Sequence, residues 1–127
     1  ECSLRVRTYE CDAYGHVNNA VYLNYLEYAR GEYLRDVGFD YNAAVAAGYG
    51  LYVARIEIDY KRSAVNDDVL SIHTWPEKKG AVSGIMAQKI LRGDELIAEA
   101  RVSWAFVNDK GIPTRIPPQW DLPGLKP

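Results

Sequence analysis

The stretch YECDAYGHVNNAVYLNYLEYARGEYL, Tyr9 to Leu34, decides how the chain is read. In its second half apolar residues recur at Tyr22, Leu26, Ala29 and Tyr33, with Leu23, Leu34 and Val37 alongside, and a spacing of three and four predicts a helix. Asn18 or Asn19 can cap its start and Gly38 can end it. The first half, Glu10 to Asn18, is a polar loop. Upstream of it, Leu4, Val6 and Thr8 alternate with Ser3, Arg5 and Arg7, the period of a half-buried strand that ends near Tyr9.

Downstream, Asp40 to Ala47 is alanine-rich and suggests a short second helix stopped by Gly48 and Gly50. The period then changes to two. Tyr52, Ala54, Ile56, Ile58 and Tyr60 take one face of a strand, and Arg55, Glu57, Asp59 and Lys61 take the other. Val69 to Trp75 predicts a third strand, ended or pushed to an edge by Pro76, which cannot donate to a ladder. Glu77 to Gly80 reads as a tight connection. Val82 to Leu91 is apolar on both faces, and Arg92-Gly93-Asp94 supplies a hairpin turn into Leu96 to Phe106, where small and apolar residues alternate with Glu99, Arg101 and Ser103. Five of the six prolines lie beyond Ile112, so the chain from about residue 112 reads as an irregular tail docked through Trp120 and Leu122.

The order is strand, long helix and four strands in a single domain, residues 1–127, of class α+β. One helix cannot cover both faces of such a sheet, so a second copy of the chain is expected to bury the surplus by edge pairing or face packing. Fifteen Lys and Arg against seventeen Asp and Glu give a net charge of −2, with both signs scattered, which disfavours nucleic acid as a partner. No apolar run approaches the roughly 18 residues that cross a bilayer, so no membrane partner is expected. Cys2 and Cys11 have no CxxC or Cys/His companion, which points to reduced thiols in a cytoplasmic chain and to no metal or other cofactor.

The loop before the long helix carries the candidate chemistry. A helix start presents unpaired N–H groups and the positive end of the macrodipole, and both favour the oxygen of a polarised carbonyl. Asp12 lies a few residues upstream, and a turn at Tyr14-Gly15 folds it back towards those groups, with Gly15 permitting close backbone approach. There a carboxylate can act as nucleophile or as general base for water. From spacing alone Asp12 reads first as a turn or capping residue. His16 reads as a structural histidine, Asn18 and Asn19 as caps and Tyr22 as core. Glu27 either pairs with Arg30 three residues on or, held in the interior, becomes a second base. No GxSxG, phosphate-cradling glycine loop or zinc spacing is present.

The run Asp12-x-x-Gly15-His16-Val17-Asn18-Asn19-x-x-Tyr22-x-x-Tyr25-x-Glu27-x-Ala29-Arg30 resembles the 4-hydroxybenzoyl-CoA thioesterase family and related short-chain acyl-CoA thioesterases. The element order from Leu4 to Val107 is similar to the hotdog fold, a sheet wrapped around one helix. The resemblance implies an acyl-CoA thioesterase in which Asp12 attacks the thioester carbonyl or activates water while amides at the helix start polarise that carbonyl. Gly15, His16, Asn18, Asn19, Tyr22 and Glu27 would support the site. His16 with Asn18 and Asn19 also resembles the HVNN segment of plant acyl-ACP thioesterases, where histidine and asparagine take part in the site. The family further implies a homodimer or homotetramer, with the site at the subunit interface and basic residues meeting the nucleotide end of CoA, for which Lys61, Arg62, Lys78 and Lys79 are candidates. The readings that compete with hydrolysis are a non-catalytic acyl-CoA-binding module and a hotdog hydratase or dehydratase.

Overall fold

The computed structural model describes residues 1–127. Strand β1 (Cys2–Arg5) leads through a single 3-10 turn, Thr8–Glu10, and the polar loop into α1 (Val21–Asp36) and a short α2 (Tyr41–Ala46). Strands β2 (Tyr49–Tyr60), β3 (Val69–Lys79), β4 (Ser83–Arg92) and β5 (Glu95–Asn108) follow. The five strands form one antiparallel sheet in the order β1-β3-β4-β5-β2, curled about α1.

α1 forms where the three-four spacing places it, and it buries Tyr22, Tyr25, Leu26, Ala29 and Leu34. It ends in a Schellman motif: Gly38 takes φ +90° and donates to the Arg35 carbonyl at 3.1 Å, while the Phe39 amide returns to Leu34 at 2.8 Å. α2 is capped by Asp40, whose carboxylate accepts from the Ala43 amide at 3.2 Å. Gly48 (φ +87°) ends that helix, but Gly50 belongs to β2, which starts earlier than the period-two pattern suggests. The alternation along β2 is interrupted by a register shift between Val53 and Arg55, so Ala54 is set out of phase.

Three further expectations are corrected. β3 does not stop at Pro76 but continues to Lys79, with a bulge between Pro76 and Lys78. Proline is tolerated there because β1 pairs only with Val69 to Ile72, leaving the rest of β3 without a partner on that side. The tail docks through Trp120 and Leu122, half-buried against the core as expected, but Ile116 and Leu125 are its fully buried anchors. Tyr33 fixes it by donating to the Gly124 carbonyl at 2.7 Å, and Gly124 lies so close against Val37 that a Cβ would collide with it.

The third correction concerns β4. Its inner face, Met86, Gln88 and Ile90, is buried, whereas the outer face carries half-buried Ile85, buried Ala87 and the exposed charge of Lys89. Across the outer face the ladder brings Glu57 opposite Arg101 and Lys89 opposite Glu99, a lattice of both signs. The uncovered apolar surface lies at the free β2 edge, where Tyr52, Val53 and Tyr60 are exposed. A twelve-residue edge strand with open backbone groups is a template for pairing with another chain.

Candidate active site

The loop between residues 11 and 17 is a small hairpin. Cys11 bridges Val17, the Asp12 amide donates to the His16 carbonyl at 2.8 Å, and Gly15 (φ +79°) closes the turn. Asp12 Oδ1 accepts from the Tyr14 amide at 2.9 Å and, at 3.4 Å, from that of His16. These bonds are those of an Asx turn. They occupy one carboxylate oxygen and leave Oδ2 with no protein partner at the exposed tip of the loop.

Two struts hold this hairpin beside the start of α1. On one side Glu10 is buried, accepts from the Tyr25 hydroxyl and from the Arg7 amide (2.8 Å each), and takes the Asn18 amide on its carbonyl at 2.9 Å. Burial and this carboxylate push the Tyr25 phenol well above its usual range, so it remains a donor. On the other side Val17 donates to the Ala64 carbonyl at 2.9 Å and His16 bridges Val65. Tyr22, buried and packed edge-on to Tyr60 and Tyr25, accepts from the Ala64 amide at 3.1 Å. Tyr22 is thus core, and through Ala64 it also braces the loop.

The Ala64 segment is clamped in turn by Asp68, which accepts from the Val65 amide at 2.9 Å and from Arg92 at 2.6 Å. Desolvation alone would raise the Asp68 carboxyl; the Val65 amide and Arg92 outweigh it and hold the group below the usual carboxylate range. A native value below the unfolded one of about 3.9 means stability that is full above that pH and lost as pH falls through the native value. The melting-temperature gap between wild type and Asp68→Asn should therefore shrink between pH 7 and pH 3. An equal gap at both would contradict the clamp.

At the start of α1 the N-cap position is Ala20, which has no capping side chain. Asn18 does the capping from two residues earlier, its Oδ1 accepting from the Ala20 amide at 2.9 Å and its carbonyl from that of Val21 at 2.9 Å. The Asn19 side chain caps nothing. Its carbonyl accepts from the Tyr60 hydroxyl at 2.9 Å, which ties the end of β2 to the helix start, and the Asn19 and Tyr22 amides have no protein acceptor. Free amides at the positive end of a sixteen-residue helix, beside a loop with a free carboxylate oxygen, can hold a negatively charged oxygen. The His16 ring is exposed and makes no hydrogen bond.

Other candidates fare differently. Glu27 is exposed rather than interior and forms no ion pair with Arg30. Arg30 turns inward instead and donates to Gln88 Oε1 at 3.2 Å, and burial lowers its pKa. Lys61 lies 3.9 Å from Glu99, Arg62 3.0 Å from Glu95 and Lys79 3.0 Å from Asp121, while Lys78 is exposed. Lys61 and Arg62 follow the end of β2, near the start of α1, whereas Lys78 and Lys79 end β3 at the opposite end of the sheet. The four cannot meet one phosphate within a protomer. No three His, Cys, Asp or Glu side chains stand close enough to share a metal ion, both cysteines are free, and no helix is long and apolar enough to cross a membrane.

Gln88 was not singled out in the sequence, where it sits inside an apolar run. It is almost fully buried, and its Nε2 donates to the Leu26 carbonyl and to Thr74 Oγ1 (3.0 Å each) while its Oε1 takes Arg30. The only signal was an amide at an inward position of a central strand.

Comparison with known proteins matches residues 6–121 to the thioesterase-like superfamily. The chain belongs to that family. It is 33% identical over 112 residues to the long-chain acyl-CoA thioesterase FadM of Escherichia coli, covering 87% of this chain and 84% of FadM. It is 30% identical over 125 residues to the chloroplastic acyl-acyl carrier protein thioesterase ATL3 of Arabidopsis thaliana, covering 92% of this chain but 63% of that protein's length. The crystal structure of a probable thioesterase from Bartonella henselae superposes with a TM-score of 0.85 at 32% identity, over 91% of this chain and 97% of that one. The curled five-stranded sheet around one long helix is therefore the hotdog arrangement, and the chain carries a thioesterase domain.

Proposed function

We propose that the protein hydrolyses an acyl-CoA thioester to the free acid and CoA, with Asp12 as nucleophile or general base. Two observations support this reading: Asp12 Oδ2 has no protein partner, and the Asn19 and Tyr22 amides at the start of α1 have no protein acceptor. The Asn19 or Tyr22 amide would receive the carbonyl oxygen as it becomes an oxyanion. Asp12 would either attack the carbonyl carbon, giving an acyl-enzyme anhydride that water then opens, or take a proton from the attacking water; in both routes the thiolate leaves and is protonated. A thioester carbonyl is less stabilised by resonance than an oxygen ester, so a carboxylate and a polarised carbonyl suffice without a triad.

His16, whose exposed ring makes no hydrogen bond within the chain, would contact substrate rather than relay protons. Lys61 and Arg62, at the α1 end of the sheet, are the cations suited to the CoA phosphates. Homo-oligomerisation through the free β2 edge is supported by its length and its exposed Tyr52, Val53 and Tyr60. We assign the protein to the cytoplasm, consistent with its unpaired cysteines.

Wild-type protein given acyl-CoA thioesters should release titratable thiol without changing enoyl absorbance. Tight acyl-CoA binding with no thiol release across aromatic, short and long acyl groups would replace this reading with a binding module. Loss of enoyl absorbance without thiol would replace it with a hydratase.

A further inference from the structure

Glu10 is a buried carboxylate two residues before Asp12. An apolar side chain would fill that space at less cost, because a carboxylate gives up its hydration on burial. The bonds it makes supply a reason for it. The hairpin that carries Asp12 is a short ladder in which Asp12 faces His16, Cys11 faces Val17 and, at the base, the Glu10 carbonyl takes the Asn18 amide at 2.9 Å. From this base one arm runs to Asp12, and the other runs through Asn18 to the free Asn19 and Tyr22 amides.

Glu10 Oε1 also reaches out of the ladder and accepts from the Tyr25 hydroxyl at 2.8 Å, the one side-chain hydrogen bond that joins residues 10–17 to α1. Tyr25 stands four residues beyond Val21, about 6 Å along the axis at a rise of about 1.5 Å per residue, hence one turn from the free amides. The same oxygen takes the Arg7 amide at 2.8 Å, which fixes the carboxylate from the strand side.

We propose that Glu10 and Tyr25 are positioning residues: their hydrogen bond sets the separation between the Asp12 carboxylate and the free amides at the start of α1, and with it the rate of thioester cleavage. This role rests on the thioesterase reading and adds two residues to it. Neither residue reaches substrate, since Tyr25 is 3% and Glu10 8% exposed and the hydroxyl proton is committed to Glu10. Asp12 lies two residues from the bond, about 7 Å at about 3.3 Å per residue, so tilting the hairpin by about 8° moves it about 1 Å. A misplacement of about 1 Å costs up to about a hundredfold in rate.

The bond can be removed without unfolding the site. In Tyr25→Phe the ring keeps its edge-on contact with Tyr22 (6.0 Å between centroids), Glu10 keeps the Arg7 amide, and Val17 still holds the far side of the hairpin on Ala64. Two substitutions at Glu10 separate position from charge. Glu10→Asp withdraws the carboxylate by one methylene and keeps its charge, whereas Glu10→Gln keeps an oxygen in place for both donors and loses the charge.

The test is thiol release from acetyl-, octanoyl-, palmitoyl- and benzoyl-CoA by wild type and the three variants, at a temperature where circular dichroism shows each folded. Amide hydrogen exchange is followed in the same proteins. On the best wild-type substrate, Tyr25→Phe and Glu10→Asp should lower kcat at least about tenfold with KM within about twofold. The shape of the pH–rate profile should not change, because no proton passes through Tyr25. Glu10→Gln should stay within about threefold of wild type. Exchange of the Asp12 and Asn18 amides should quicken at least about tenfold against the amides of β5 in Tyr25→Phe and Glu10→Asp, and not in Glu10→Gln.

A wild-type kcat in Tyr25→Phe would overturn the proposal, as would a lowered kcat with unchanged exchange. A displaced pH profile would make Tyr25 a proton carrier instead, and a loss in Glu10→Gln as large as in Glu10→Asp would assign the effect to charge. If wild type frees no thiol from any of the four substrates, the thioesterase reading falls. Exchange then decides the bond's hold on the hairpin by itself, quickened in Tyr25→Phe if the hold is real and unchanged if it is not.

Discussion

Asp12→Asn should fold and assemble as wild type does and lose at least about a hundredfold in turnover, the scale of removing an acid–base group. The asymmetry of the carboxylate is the reason. Oδ1 accepts from the Tyr14 and His16 amides, and an asparagine oxygen can take its place in the same Asx turn. Oδ2, which has no protein partner, would become an NH2 group with no lone pair to offer a carbonyl carbon or a water proton. Thermal unfolding of the variant should stay within about 0.5 kcal/mol of wild type, as expected at an exposed position outside the core. Thiol release at near-normal rates would remove Asp12 from the chemistry and point to Glu27 or to a group from a partner chain.

The largest expected effect on stability lies far from that loop. Gln88→Leu conserves shape but removes an amide that bonds Leu26, Thr74 and Arg30 at once. It leaves a largely buried guanidinium without its one hydrogen-bond acceptor, and orphaned buried polar groups cost about 1–3 kcal/mol each, more when charged. The expected loss is about 3 kcal/mol, or roughly 10 °C in melting temperature for a chain of this size. If the guanidinium is the source of the cost, Arg30→Met in the same protein should restore at least about half of it, because replacing both partners by apolar groups is often nearly neutral. A double variant no more stable than Gln88→Leu would locate the cost in the Leu26 and Thr74 bonds instead.

The elements were legible where one period dominates. Tyr22, Leu26 and Ala29 at helical spacing marked α1, Gly38 marked its end, and alternation marked β2 and β5. The corrections fall where a local rule met a tertiary partner. Pro76 reads as a strand end, yet β3 passes it because β1 has already stopped pairing. Trp120 and Leu122 look like the tail's anchors by size and do pack on the core, but Ile116 and Leu125 are buried more completely. The β4 run reads as apolar on both sides because hydropathy does not say which face the helix covers, and the ladder puts Lys89 and Ala87 on the charged outer face. Glu27 and Arg30 satisfy the rule for a helical pair, but the buried Gln88 amide on β4 draws the arginine inward.

What the amino-acid order determined alone is what depends on neighbours a few residues apart: the helix and its stop, the strand periods, and the Asp12-to-Arg30 spacing from which the family resemblance follows. Short-range patterns repeat within a turn or a pleat and need no knowledge of the far chain. Tertiary structure alone decided that only one Asp12 oxygen is free, that Lys61 and Arg62 lie at the helix-start end while Lys78 and Lys79 do not, and that the open apolar surface sits at β2. These are properties of groups brought together across dozens of residues, and their energies depend on distance and burial in space rather than on separation along the chain.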